Sequence, residues 1–374
     1  MRICHITSVH PRYDIRICEK ECISLVNAGY EVYLVVNDDM PDEIYKGIHI
    51  VSTGVKDNGR MARIVRAPKR VLKKALEIDA EVYHLHDPEL LMISDKLSGT
   101  RKKVVFDAHE DTEKQIETKR WIPGFLRKIV SESFGLYSHG KFKRMAGLIS
   151  VTPSIVEKLK QYNKNAVLVT NFPIINDMNG TSGNKLKIEQ EKYVFFAGGI
   201  SEQWCHENIA KAVDKINGVH YIFAGKDQGN YVERIVENRG KTAYYLGLLP
   251  HDAVKQYYKE AIAGMAILKT DTQVGRDGTL GNTKLFEVME AGRPVICSDL
   301  KLWREIVEKY SCGICVDSDD IDAIADAIRY LSEHIDESNK MGDNGRRAVE
   351  MEFNWSTQEK TLYAFYENIK GLIF

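Results

Sequence analysis

No apolar run in this sequence approaches the roughly 20 residues that a membrane-spanning helix needs. The longest, such as Ala261 to Leu268, stop far short. Charge of one sign is also lacking: 52 Lys plus Arg against 53 Asp plus Glu leave a formal net charge of −1. No whole-chain field therefore points to nucleic acid, and any basic patch is local. Cysteine is sparse, and its odd count of seven, scattered along the chain, argues against a disulfide framework and fits reduced thiols in the cytoplasm. Cys312-Gly313-Ile314-Cys315 has redox or half-zinc-site spacing, but with no second such pair it reads as two small apolar side chains flanking a turn glycine. The strand-like start at Arg2 to Thr7 leaves no room for a secretory signal. No G-x-G-x-x-G follows it, and Gly198-Gly199 lacks the third glycine, which disfavours a nicotinamide dehydrogenase.

What is present is an alternation of short β-branched or aromatic runs with amphipathic stretches. Arg2 to Thr7, Val32 to Val36, Val82 to His86, Val104 to Asp107 and Leu148 to Thr152 form one series. Tyr193 to Ala197, His220 to Ala224, Ala243 to Leu246, Met265 to Leu268, Pro294 to Cys297 and Gly313 to Val316 form another. The pattern predicts an α/β chain with two parallel-sheet domains, over 1–172 and 191–356. A polar, glycine-bearing linker over 173–190 joins them, and a final helix over 357–374 is expected to pack back on the first domain. Such sheets bind ligands outside the carboxyl ends of their strands.

In the first half those ends are His10 to Arg16, His84 to Glu89 and Phe106 to Asp111, three loops rich in histidine and carboxylate. A zinc or iron site from His84, His86, Asp87 and His109 is chemically possible. The preferred reading makes His109 an acid/base or transition-state stabiliser, oriented by Asp107 or Glu110, with no metal. In the second half, Gly281-Asn282-Thr283-Lys284-Leu285 opens a helix that Gly292 stops, and the helix start offers unpaired N–H groups to an anion. Glu287, one turn in, stands where a carboxylate could accept both ribose hydroxyls of a nucleotide. An ordinary αβ unit with a surface glutamate fits the same residues.

The stretch Gly281 to Ile296 resembles the donor-site signature of the retaining glycosyltransferases of family four, roughly P-x-K-x-x-E-x-M-A-x-G-x-P-V. Asp14-Ile15-Arg16-Ile17, Phe106-Asp107-Ala108-His109-Glu110, Thr170-Asn171-Phe172-Pro173 and Asn344-Gly345-Arg346 extend the likeness over nearly the whole chain. The resemblance implies the GT-B fold, two Rossmann-like doubly wound domains facing a central cleft. It also implies a metal-independent, cofactor-free transfer that retains anomeric configuration. Glu287 would bind the donor ribose of a UDP- or GDP-sugar. Gly281, Asn282, Thr283, Lys284, Leu285, Gly198, Gly199 and Lys226 would surround the diphosphate. His109 would lie near the transferred sugar, with Asp14, Arg16, His86 and Asp87 on the acceptor side.

The departures are specific. The family's other signature glutamate falls on Thr279, and its arginine and lysine for the diphosphate fall on Gly199 and Trp204. Lys284, Lys226 and Arg276 are the substitutes at hand, and each lost charge-assisted contact costs about 1.5–3 kcal/mol. Two rival readings follow: a nucleotide-sugar 2-epimerase of the same architecture, and a non-catalytic subunit supporting a partner transferase.

The first half also concentrates basic charge. Arg63, Arg66, Lys69, Arg70 and Lys73 fall in an acid-free stretch interleaved with Met61, Ile64, Val65, Val71 and Leu72, followed by Lys119, Arg120, Trp121, Phe125, Arg127 and Lys128. These read as a surface for anionic lipid and hence as a sign of a lipid-linked saccharide acceptor. Solvated helix faces are the plainer reading. The expected setting is the cytoplasmic face of the membrane, in assembly of a surface polysaccharide such as capsule or O-antigen, with no nucleic acid bound.

Overall fold

The computed structural model describes residues 1–57, 59, 61–98, 102–119, 121–175, 192–239, 242–270 and 275–371. The linker predicted over 173–190 lies outside them from residue 176 onward, as does Arg120. The chain divides into two compact units, Met1–Asn171 with Trp355–Phe374, and Phe172–Asn354.

The first unit is built on β1 (Arg2–Ile6), β2 (Glu31–Val36), β3 (Glu43–Tyr45), β4 (Ile48–Ser52), β5 (Val82–Leu85), β6 (Lys103–Ala108), β7 (Gly147–Ser150) and β8 (Ala166–Leu168). Their order across the sheet is β3-β4-β2-β1-β5-β6-β7-β8. All neighbours are parallel except the β3–β4 pair. The order reverses between β1 and β5, which makes that boundary the switch point of a doubly wound sheet. Cys4, Ile6, Tyr83, Leu85 and Phe106 bury on one face with Val71, Leu72 and Ala75 of helix Ala67–Ile78. Ile3, Val82, Val105 and Ile149 bury on the other with Ile17, Cys22 and the final helix, Trp355–Gly371. That helix is tied by Trp355, whose Nε1 donates to Ser24 Oγ at 2.8 Å.

Side chains alternate across a strand. With Ile3, Val82 and Val105 on the second face, the same parity puts His5, His84, His86 and Asp107 there too. Parallel strands buried on both faces normally read as continuous apolar runs. Here β1 and β5 break that run at directly paired positions, His5 beside His84.

The second unit holds β9 (Lys192–Ala197), β10 (Val219–Ala224), β11 (Ala243–Tyr245), β12 (Ala263–Ala266), β13 (Val295–Ser298) and β14 (Gly313–Val316), all parallel in the order β11-β10-β9-β12-β13-β14. Its switch point lies between β9 and β12. Val194, Phe195 and Phe196 are fully buried, as a central strand covered on both faces requires. In the Cys312 to Cys315 motif, Gly313 is forced by space, since a Cβ there would lie 2.1 Å from the Val295 carbonyl oxygen. Cys315 instead meets Cys297 of the neighbouring strand, with the sulfurs 3.7 Å apart.

Candidate functional site

At the first switch point, Arg16 is the hub. It projects from a wide-turned helix, Ile15–Cys22, which Asp14 caps by accepting from the Arg16 and Ile17 N–H groups. The wide turn is visible in the Glu19 N–H, which donates to the Asp14 carbonyl at 3.1 Å. The Arg16 Nε donates to Asp107 Oδ2 at 2.8 Å and its Nη1 to the Val169 carbonyl at 2.9 Å. Its Nη2 stands 3.1 Å from Glu21 Oε1. Asp107 Oδ2 also lies 3.1 Å from His109 Nε2 and 3.6 Å from His86 Nδ1. Asp107 is therefore the group that holds the partly exposed His109. Glu110, the alternative partner, is taken up by Gln115.

Burial would raise the Asp107 carboxyl, but the charge of Arg16 and the His109 hydrogen bond hold it well below the usual carboxylate range. The imidazoles behind it move the other way. Burial drives His5 and His84 well below their ordinary value and His86 down to about 4, so these rings are neutral at pH 7. Asp87 accepts from Thr7 Oγ1 at 2.8 Å and from the Ser8 N–H at 2.6 Å, and faces His10 Nδ1 at 3.0 Å. Arg16, His86 and Asp87, expected on the acceptor side, are all buried and stand behind His10 and His109. Sequence reasoning missed His5, Glu21 and Tyr366, whose Oη lies 2.8 Å from His84 Nδ1. The strand parity of His5 was the available signal; Tyr366, far off in the chain, had none.

At the second switch point the chemistry is sparse and the backbones are close. Gly225, at φ +137°, sits where a Cβ would lie 1.6 Å from the Gly198 carbonyl oxygen, so the loops after β9 and β10 abut without side chains between them. Gly198 lies beside the Lys284 side chain, whose Cε would stand 3.0 Å from a Cβ built there. Lys284 opens the helix Lys284–Glu290, and its Nζ meets Glu287 Oε2 at 2.6 Å. Thr283 Oγ1 donates to Glu287 Oε1 at 2.5 Å. Burial alone would raise the Glu287 carboxyl, yet Lys284 and Thr283 hold it below its usual range. The N–H groups of Gly281 and Lys284 donate to Thr279 Oγ1 and Asn282 Oδ1 at 3.0 and 3.1 Å, and Leu285 anchors the turn in the core. The structure thus gathers Gly198, Thr283, Lys284 and Glu287. Lys226 is exposed on the β10 loop, while the Gln228 amide occupies the space beside Gly199. Trp204 is buried against Phe196, with ring centroids 5.1 Å apart.

Residues 180–348, which include this loop and helix, match the family model described as "Glycosyl transferases group 1". Over those residues the chain is similar to the group 1 glycosyltransferases. The chain is similar to a phosphatidyl-myo-inositol mannosyltransferase of Mycolicibacterium smegmatis, 24% identical over 93% of this chain and 88% of that one. Its fold is GT-B. The sucrose-phosphate synthase of Thermosynechococcus elongatus aligns with TM-score 0.77 at 16% identity over 99% of both chains. Anabaena HepE, solved with UDP and glucose, aligns with TM-score 0.73 at 14% identity over 98% and 99%.

Of the basic residues on the first unit, Arg66, Lys69, Lys73 and Lys128 are exposed, whereas Arg63 pairs with Glu89 at 2.8 Å and Arg70 with Asp57 at 2.9 Å. Arg127 turns inward, its Nε donating to the Ile122 carbonyl at 2.8 Å. Beside them the helix Gly124–Phe142 leaves Phe125 80%, Ile129 57% and Leu136 79% exposed. No helix among the described residues is long and apolar enough to cross a membrane.

Proposed function

We propose that this transferase moves a hexosyl group from a UDP- or GDP-sugar to a saccharide carried on lipid, with retention of anomeric configuration and no metal in the transfer step. The observation that carries the reading is Glu287, a carboxylate held ionised one turn into a helix whose loop lies against Gly198. There it is suited to accept from the hydroxyls of a ribose, with Lys284, its partner in this structure, as the nearby cation for the diphosphate. On the first unit, His109 is the group offered to the reacting sugar, and Asp107 fixes its ring. The leaving diphosphate is stabilised by N–H groups and Lys284 while the acceptor hydroxyl attacks from the same face.

Work at the cytoplasmic membrane face is supported by the bare row of Phe125, Ile129 and Leu136 beside Lys128, an arrangement that suits anionic lipid. Lipid is also where a lipid-linked acceptor would be met, in assembly of a surface polysaccharide such as capsule or O-antigen.

Calorimetry of UDP- and GDP-sugars against the wild type and Glu287→Ala tests the donor assignment. Micromolar binding of one of them, weakened about tenfold or more by the substitution, is expected, followed by retention at the anomeric carbon of the product. The non-catalytic reading has its own support, since Trp204 is buried and Gly199 carries no cation. If no nucleotide sugar binds, a subunit supporting an active partner transferase takes first place.

A further inference from the structure

Behind His109, in the first unit, lies a set of polar side chains that the transfer reaction does not use. His5, Glu21 and His84 are fully buried and His86 nearly so. Each offers one donor atom, and the four atoms lie within 4.8 Å of one another. His5 Nδ1 and His84 Nδ1 stand 4.0 and 3.9 Å from the same oxygen, Glu21 Oε2, and His86 Nε2 lies 2.9 Å from His5 Nδ1. Around a tetrahedral ion with ligand distances near 2.0–2.2 Å, donors sit roughly 3.3–3.5 Å apart, so shifts of about half an ångström close this set.

Hydrogen bonding within the cluster leaves groups over. Neither oxygen of Glu21 accepts a hydrogen bond, whereas His84 Nδ1, the nitrogen that faces it, also meets Tyr366 Oη at 2.8 Å. Arg16 Nη2 approaches Glu21 Oε1 as a charge without making a hydrogen bond to it. Burial pushes the Glu21 carboxyl well above its usual range, and a buried carboxyl whose oxygens accept nothing is costly unless something else binds it. We infer that His5, Glu21, His84 and His86 hold a transition-metal ion, zinc by the chemistry of the set: three imidazoles, one carboxylate and no thiolate. The other nitrogen of His86 faces Asp107 Oδ2 at 3.6 Å, the carboxylate–histidine–metal order that fixes a ligand ring. All four residues are buried, and four protein donors fill the positions of a tetrahedral ion. Its role is to pin the helix Ile15–Cys22 to β1 and β5, and with it Arg16. It stands independently of the donor reading.

Metal analysis of the full-length purified protein tests this. About one zinc per chain is expected, retained through dialysis and lost in Glu21→Gln and His84→Ala but not in His139→Ala, outside the cluster. Strong chelation should lower the wild-type melting temperature, and added zinc should restore it. Should the cluster variants fail to fold, X-ray absorption at the zinc edge of the wild type decides, with nitrogen and oxygen neighbours near 2.0–2.1 Å and no sulfur expected. Wild type grown with zinc that contains none, melts unchanged with chelator or added metal, or shows sulfur in the zinc shell overturns the proposal.

Discussion

The two sheets reverse strand order at equivalent places, β1 beside β5 and β9 beside β12, and fill those places with opposite chemistry. The first is crowded with titratable side chains packed on a buried face, His5, His84, His86 and Asp107 under Arg16 and Glu21. Beside the second, the glycine loops after β9 and β10 touch backbone to backbone, and the ion pairs there, Lys284 with Glu287 and Lys269 with Glu202, are partly exposed. One topology thus provides two kinds of site. The first sets the position of a partly exposed histidine through layers of fixed partners; the second brings backbones together, which suits the proposed donor role of Glu287.

The largest effect is expected where the first arrangement is cut at its centre. Asp107→Ala leaves the buried Arg16 guanidinium without its hydrogen-bonded carboxylate, and breaking a buried pair from one side costs about 3–5 kcal/mol. Denaturant unfolding should show that loss, against near-wild-type stability for Glu110→Ala, whose carboxylate is exposed. Equal stability of the two variants would mean that the buried network is not what holds the first unit.

The second unit has a buried histidine of its own, His206, whose Nδ1 lies 2.6 Å from Tyr221 Oη. Burial pushes it down to about 3, whereas in the unfolded chain it titrates near 6.5. The unfolded state therefore binds the extra proton between those values. Its contribution is whole above about pH 6.5 and is lost as pH falls towards 3, with a slope of about 1.4 kcal/mol per pH unit. In His206→Gln the acid limb of the stability curve should be shallower by about one proton, and an unchanged slope would show that His206 is not held neutral.

At the donor edge the effect is on affinity. Glu287→Ala should weaken nucleotide-sugar binding by about 1.5–3 kcal/mol, roughly ten- to a hundredfold or more. Lys284→Met, which also frees Glu287 from its pair, should weaken it less. Equal binding by all three proteins in calorimetry would remove the donor role from this helix.

Much of this was legible in the chain. The strand runs were readable because buried parallel strands are nearly continuous apolar segments, and the helix start at Gly281 to Lys284 because it carries its own stop at Gly292. The short strands Glu43–Tyr45, Ile48–Ser52 and Ala166–Leu168 were not, since three to five residues at a sheet edge have no period to read. His109 with Asp107 was visible because the two are close in sequence on one strand end. Glu21 and Tyr366 were not, because only the packing of two helices on one sheet face brings them to His5 and His84. The basic stretch after residue 60 interleaves its cations with apolar residues throughout. In the structure Val71 and Leu72 pack inward while Ile64 and Val65 stay out, a split that composition alone does not reveal.

The smallest expected effects separate the two units by surface. An exposed cation near anionic lipid contributes about 1 kcal/mol, and the effect falls as salt shortens the Debye length. An apolar side chain such as Phe125, which has nothing over it in this structure, adds the area term on burial in lipid. Lys128→Glu and Phe125→Glu, measured by co-sedimentation with anionic and with neutral vesicles, should each reduce binding to the anionic ones. Lys128→Glu should lose its effect at high salt, whereas Phe125→Glu should keep part of it. The same reversal at Lys215, exposed on the second unit, should leave binding unchanged; if it is equally harmful, attraction is spread over the whole chain, and the lipid surface does not belong to the first unit.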